Sequence, residues 1–137
     1  MNAINTYLTF DGNCREAMMF YAKCLDSELQ LMTFADMPGD SPKDLKDKVM
    51  HAKVGSGTNI VMASDNDVRN KLQPGNNFSI CINCESLKEI ERLYAALSEK
   101  GKQTSPLQDT FWGARFGTLT DQFGIQWMFN YDKPKQG

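Results

Sequence analysis

Apolar residues along this chain follow two periods, and the whole pattern occurs twice. Ile4 to Phe10 alternates apolar and polar positions, which predicts a strand. Asp11-Gly12 turns the chain. From Asn13 the spacing becomes helical, with Ala17, Phe20, Tyr21 and Cys24 on one stripe of a helix running to about Leu25. Asn13 is expected to cap that helix while Glu16 reaches back toward it. A shift of 73 residues lands on Ser86, Glu89, Ile90, Leu93, Tyr94 and Leu97, the same cap, the same acidic partner and the same stripe. Two copies of one unit follow from this match.

The remaining elements fit that unit. Leu29 to Phe34 predicts a second strand, and residues 36–48 a loop around Pro38-Gly39-Asp40-Ser41-Pro42, with a helical turn near Leu45. Val49–Val54 and Thr58–Ala63 form a hairpin about Gly55-Ser56-Gly57. In the second copy, Asn77–Asn83 is a strand and the helix runs from its Ser86 cap to about Lys100, with Gly101 placed to end it. Three more strands follow near 102–108, 114–120 and 125–131. The first contains Pro106 and is expected at an edge or irregular. In the last, Ile125, Trp127, Phe129 and Tyr131 face one way and Gln126, Met128 and Asn130 the other. The expectation is a single α+β domain over 1–137, built of two tandem βαβββ modules, 1–65 and 77–133, joined by linker 66–76.

At 137 residues the chain is long enough to bury a core without disulfide or metal. A net charge of −2 with scattered basic residues argues against a nucleic-acid partner. The N-terminus has neither the basic segment nor the apolar core of a signal peptide, and no apolar run is long enough to span a membrane. A cytoplasmic location follows, with Cys14, Cys24, Cys81 and Cys84 as free thiols.

The local sequence then narrows the field. Tyr7-Leu-Thr-Phe-Asp-Gly-Asn-Cys-Arg-Glu-Ala17 with Phe20-Tyr21, His51-Ala, and Met62-Ala-Ser-Asp65 resemble the PhnB-like branch of the vicinal-oxygen-chelate superfamily. That superfamily includes glyoxalase I, bleomycin-resistance proteins and extradiol dioxygenases. The stretch from Asp109 through Phe-Trp-Gly-Ala-Arg-Phe-Gly to Asp121, then Phe123-Gly124-Ile-Gln-Trp127, is the most specific part of the likeness. The resemblance implies a glyoxalase-like cupped mixed sheet with a central cleft between the modules. It also implies a metal held by two His and two Glu, or similar, at positions near Thr6 or Tyr7, Val61 or Met62, Phe78 or Ser79, and Trp127 or Met128. One histidine in the whole chain cannot supply two, and none of these positions holds His, Glu, Asp or Cys. No metal and no cofactor are therefore expected. The methyltransferase label that some PhnB-like sequences carry finds no glycine-rich nucleotide-binding turn here.

The candidate chemistry reduces to a few side chains. His51 is the one side chain whose ordinary titration range lies near neutrality, so it is the candidate acid or base. Strict alternation puts Val49, His51 and Lys53 on one strand face; the bland alternative is a histidine bonded to a neighbouring strand or exposed beside Lys53. Trp112 and Arg115, flanking Gly113, suit a planar or anionic ligand; the alternative is Trp112 as packing and Arg115 paired with Asp109 or Asp121. Tyr7, Gln126 and Met128 are expected to line the cavity. Cys81-Ile-Asn-Cys84 has the spelling of a redox or zinc motif, but it lies in a strand, with the two thiols on opposite faces. Asp65 and Asp121 read as turn acceptors.

The expected function is binding of a small, anionic or planar molecule in the inter-module cleft without a metal, with no reaction assigned. The alternatives are a metal-dependent glyoxalase-type lyase or isomerase with a non-standard site, and a sequestering protein of the antibiotic-resistance type. Open sheet edges add the expectation of a homodimer.

Overall fold

The computed structural model of the protein describes residues 1–39, 43–67 and 71–135. The first half runs β1 (Thr6–Phe10), α1 (Cys14–Cys24), β2 (Leu29–Thr33), two 3-10 turns (Phe34–Asp36 and Lys43–Leu45), β3 (Val49–Ser56) and β4 (Asn59–Asp65). The second runs β5 (Ile80–Asn83), α2 (Leu87–Leu97), β6 (Lys102–Asp109), β7 (Ala114–Thr120) and β8 (Gln126–Asp132). The chain divides into two compact units, Met1–Pro74 and Gly75–Gly137. Each holds one four-stranded sheet, in the orders β1-β4-β3-β2 and β5-β8-β7-β6. In both, the first and last strands of the unit pair in parallel and the other neighbours antiparallel. This is the α+β, doubled βαβββ pattern read from the sequence. Parts of the expected 36–48 loop and 66–76 linker, residues 40–42 and 68–70, lie outside the described residues.

In the first unit, α1 covers one face of the sheet. Cys14, Ala17, Met18, Tyr21 and Cys24 are buried against Leu8, Phe10, Val49, Ala52, Val54, Val61 and Ala63. Phe20, expected on the buried stripe, is half-buried, and Met18 takes its place in the core. Each fully buried large side chain contributes about 1.5–3 kcal/mol relative to exposure. The cap expected of Asn13 is not made: its side chain forms no capping hydrogen bond. The acceptor comes instead from the end of β4, where Asp65 Oδ1 receives the Gly12 N–H at 3.0 Å and the Cys14 N–H at 2.9 Å. A full carboxylate at a helix N-terminus serves the unpaired N–H groups at least as well as an amide oxygen.

The strict alternation expected along β3 also fails at one place. Met32 faces His51 across the ladder while its neighbour Thr33 faces Val49, so Met50 is an extra residue, a bulge. Val49 is consequently buried under α1 with Ala52, not on the His51 face.

The second unit has the same layering with different details. Ile90, Leu93, Tyr94 and Leu97 of α2 bury against Leu119, Trp127 and Phe129, and the Tyr94 and Phe129 rings meet edge-on with centroids 5.3 Å apart. Ser86 caps α2 as expected, its Oγ accepting the Glu89 N–H at 3.0 Å. Glu89 in turn accepts from the Glu85 N–H. β6 is the edge strand and irregular, with two register shifts against β7. Gly101 does not supply the left-handed residue after α2; Lys100 does, with φ +57°. Gly101 is needed for space, since a Cβ there would lie 2.6 Å from the Thr120 carbonyl oxygen. No helix among the described residues is long and apolar enough to cross a membrane.

Candidate functional site

The face of each sheet turned away from its helix is the one open to a ligand. In the first unit, β1 and β4 pair Tyr7 with Met62, and β3 and β4 pair Lys53 with Met62, so these three share the open face. His51 stands opposite Met32 on the same face, because their neighbours Ala52 and Leu31 pair on the helix side. Tyr7 Oη and His51 Nδ1 lie 3.3 Å apart, and their rings are tilted at 32° with centroids 5.8 Å apart. Tyr7 is 48% exposed. The two residues that the sequence singled out at opposite ends of this module are thus brought together. With Nδ1 engaged by the phenol, Nε2 makes no hydrogen bond among the described residues.

The surroundings of this pair have a consistent character. No strand position on the open face carries a carboxylate; Gln30, Met32, Met62 and Lys53 surround the pair, with the hydroxyls of Thr9 and Ser64 beyond. Past the bulge lies a hollow of about 310 Å³, lined by Thr9, Ser64, Phe34, Met50, Asn66 and Asp67 beside Asp65. Sequence reasoning missed this hollow, which depends on the bulge displacing Met50.

In the second unit the sequence candidates separate. Gln126 pairs with Thr120 and Met128 with both Cys81 and Thr118, on the open face. Arg115 pairs with Tyr131, which places it on the helix side. Its guanidinium lies 3.2 Å from Asp109 and 3.8 Å from Glu91 of α2. Asp109 also binds Lys133 at 2.7 Å, and the two cations hold its carboxyl below the usual carboxylate range, Lys133 foremost. Arg115 is therefore engaged in structure, as the bland alternative had it for Asp109. Trp112 is 59% exposed at the tip of the β6–β7 turn, edge-on to Phe111.

The donor set does not fit a chelated metal. The register puts Cys81, not Phe78 or Ser79, opposite Met128, so the paired open-face positions are Tyr7 with Met62 and Cys81 with Met128. Thioethers and a neutral phenol are poor ligands for hard or borderline cations. Among the described residues no group of three or more His, Cys, Asp or Glu is placed to hold a metal ion. The thiols are not activated either: burial pushes Cys81 up and Cys84 up to about 11.

Residues 2–129 match the family model described as 3-demethylubiquinone-9 3-methyltransferase. The chain belongs to this PhnB-like family. A solved structure of protein PA1353 from Pseudomonas aeruginosa is 44% identical, covers 96% of this chain and 98% of its own, and superposes with a TM-score of 0.86. A PhnB protein from Bacillus cereus is 28% identical over 93% of this chain and 98% of its own, with a TM-score of 0.75. The glyoxalase-type fold is shown by a glyoxalase/bleomycin resistance/dioxygenase family enzyme from Burkholderia phytofirmans, 12% identical, covering 96% of this chain and 97% of its own, at TM-score 0.63. The resemblance of the PhnB-like motifs and the doubled module agree with these matches. The methyltransferase in the family's description is not matched by a nucleotide-binding turn: the β1–α1 connection is Asp11-Gly12-Asn13, in a mixed sheet.

Proposed function

We propose that this PhnB-like protein binds a small, planar anion on the open face of its first sheet, directly through side chains and without an intervening metal. The observation that carries the reading is the Tyr7–His51 pair, 3.3 Å apart on a strand face that holds Lys53 and no carboxylate. Lys53 on a strand face whose own positions carry no carboxylate attracts an anion even in a chain of net charge −2, with Asp65 and Asp67 set off in the hollow past the bulge. Met32 and Met62 add polarizable apolar surface that adapts to a flat ligand. The phenol fixes the ring of His51, which leaves Nε2 as the atom that meets the ligand and gives or takes a proton there.

Whether binding leads to turnover divides an enzyme from a sequestering protein, and the same variants separate them. Calorimetric titration of the protein with benzoate, a planar anion, tests the binding surface. His51→Ala and Lys53→Ala should each weaken benzoate binding about tenfold, and Tyr7→Phe by less. Equal affinity in wild type and His51→Ala would remove this face from consideration. In an enzyme, His51→Ala abolishes turnover of a substrate that still binds; in a sequestering protein it changes affinity alone. Elemental analysis tests the metal-free part: one bound transition metal per chain, lost on chelation with a large drop in stability, overturns it.

A further inference from the structure

We infer that the ligand of the first open face is a hydroxylated aromatic carboxylate. Its anionic end lies at Lys53, and its hydroxyl enters the hollow past the bulge, held by Thr9 and Ser64. The inference rests on the open face being the binding surface and names the class of molecule that fits it. Tyr7 pairs with Met62, and Met62 in turn with Lys53, which makes one row across three strands. Two residues further along β1 and β4, Thr9 pairs with Ser64. Positions two apart share a face, so this second row continues the first about 7 Å along the strands. Both of its residues line the hollow of about 310 Å³, together with Phe34 and Met50. On β3 the same direction leads from Lys53 past His51 to the bulged Met50.

The chemistry of the hollow sets this choice. The hydroxyls of Thr9 and Ser64 stand on paired positions of neighbouring strands and make no hydrogen bond among the described residues. A hydroxyl both donates and accepts, so the pair suits a ligand group that does the same; a carboxylate only accepts and an ammonium only donates. Charge then fixes which end enters. Asp65 and Asp67 line the hollow, whereas Lys53 belongs to the row outside it. An anionic end is therefore turned toward Lys53 and kept out of the hollow. The carboxylate of Asp65, which is buried, already receives the amides of Gly12, Cys14 and Val49, so its charge is held by the backbone instead of being offered to a ligand cation. Phe34 and the displaced Met50 supply apolar wall, and a thioether adapts to a flat ring.

Calorimetric titration of the full chain with benzoate, para-hydroxybenzoate and ortho-hydroxybenzoate separates the two ends. The expected result is an affinity for para-hydroxybenzoate about tenfold above that for benzoate, the scale of one hydrogen bond. No such gain is expected for ortho-hydroxybenzoate, whose hydroxyl lies beside the carboxylate. In Thr9→Val and in Ser64→Ala the ratio of para-hydroxybenzoate to benzoate affinity should fall toward one. Nuclear Overhauser contacts in the wild-type complex read the orientation directly and need no variant. Ring protons beside the hydroxyl should meet the Thr9 and Met50 methyl groups, and those beside the carboxylate should not. Equal affinities for benzoate and para-hydroxybenzoate, a ratio unchanged in both variants, or contacts from the carboxylate end to Thr9 overturn the inference, while a His51-dependent affinity for benzoate leaves the binding face in place. A larger gain from para-(aminomethyl)benzoate than from para-hydroxybenzoate overturns it too, by making the hollow a cation site. Binding of neither benzoate nor para-hydroxybenzoate removes the face itself, and the inference with it.

Discussion

The indole N–H of Trp127 donates to Asp121 Oδ2 across 2.8 Å inside the second unit, while Asp121 Oδ1 accepts the amides of Phe123 and Ile125. One carboxylate thus shapes the β7–β8 turn and seats the largest buried side chain of the core. Trp127→Phe removes the indole donor and should cost about 1–3 kcal/mol in urea unfolding. Asp121→Ala also strips the turn of its acceptor and should cost more than Trp127→Phe. Equal or smaller loss in Asp121→Ala would show that the turn amides find other acceptors.

Cys14 is wholly buried at the start of α1, and burial, with the Asp65 carboxylate nearby, pushes its thiol up to about 12 from an ordinary 9.0. The folded state therefore holds this proton more tightly than the unfolded chain does. The resulting stabilisation is complete below about pH 9 and disappears as pH rises through about 12. Thermal unfolding followed between pH 8 and pH 11 should show a loss of stability that Cys14→Ala lacks. A parallel pair of curves would remove Cys14 from the alkaline limb.

Lys100 and Gly101 present opposite demands at the end of α2. Lys100 takes a left-handed conformation, which costs a residue with a Cβ about 1 kcal/mol. Gly101 lies against the backbone of Thr120 and Asp121, neither of which can move aside as a flexible side chain would. Lys100→Gly should raise stability by about 0.5–1 kcal/mol, and Gly101→Ala should lower it by about 1–3 kcal/mol. Unfolding midpoints of the two variants on opposite sides of wild type are the expected outcome.

The duplicated architecture was legible because it depends on local periodicity. The helical stripes, the Ser86 cap and the alternation of β8 are written in neighbouring residues, and Trp127 and Phe129 bury as their spacing requires. What the sequence hid depends on residues far apart. Nothing near Asn13 announces that Asp65 will take its capping place, and nothing near Val49 announces a bulge whose missing bond is made 16 residues away. Gly101 looked like the helix stop because glycine usually is, whereas here crowding by the Thr120 carbonyl decides it. At the candidate site, Tyr7 and His51 were each picked out from the sequence, but their contact needed the register of three strands. For Arg115 the sequence left ligand binding and pairing with Asp109 or Asp121 both open; its Asp109 contact and its place on the helix side follow from pairing with Asp109 and Tyr131 across the strands.

The two open faces differ in kind. The first carries His51, Lys53 and Tyr7, whereas the paired positions of β5, β7 and β8 carry Cys81, Thr118, Thr120, Gln126, Met128 and Asn130, with one carboxylate, Asp132, at the end. A scaffold repeated in strand order is therefore not repeated in chemistry: the same succession of strands displays an imidazole, an ammonium and a phenol in one unit and thiol, hydroxyl, amide and thioether groups in the other.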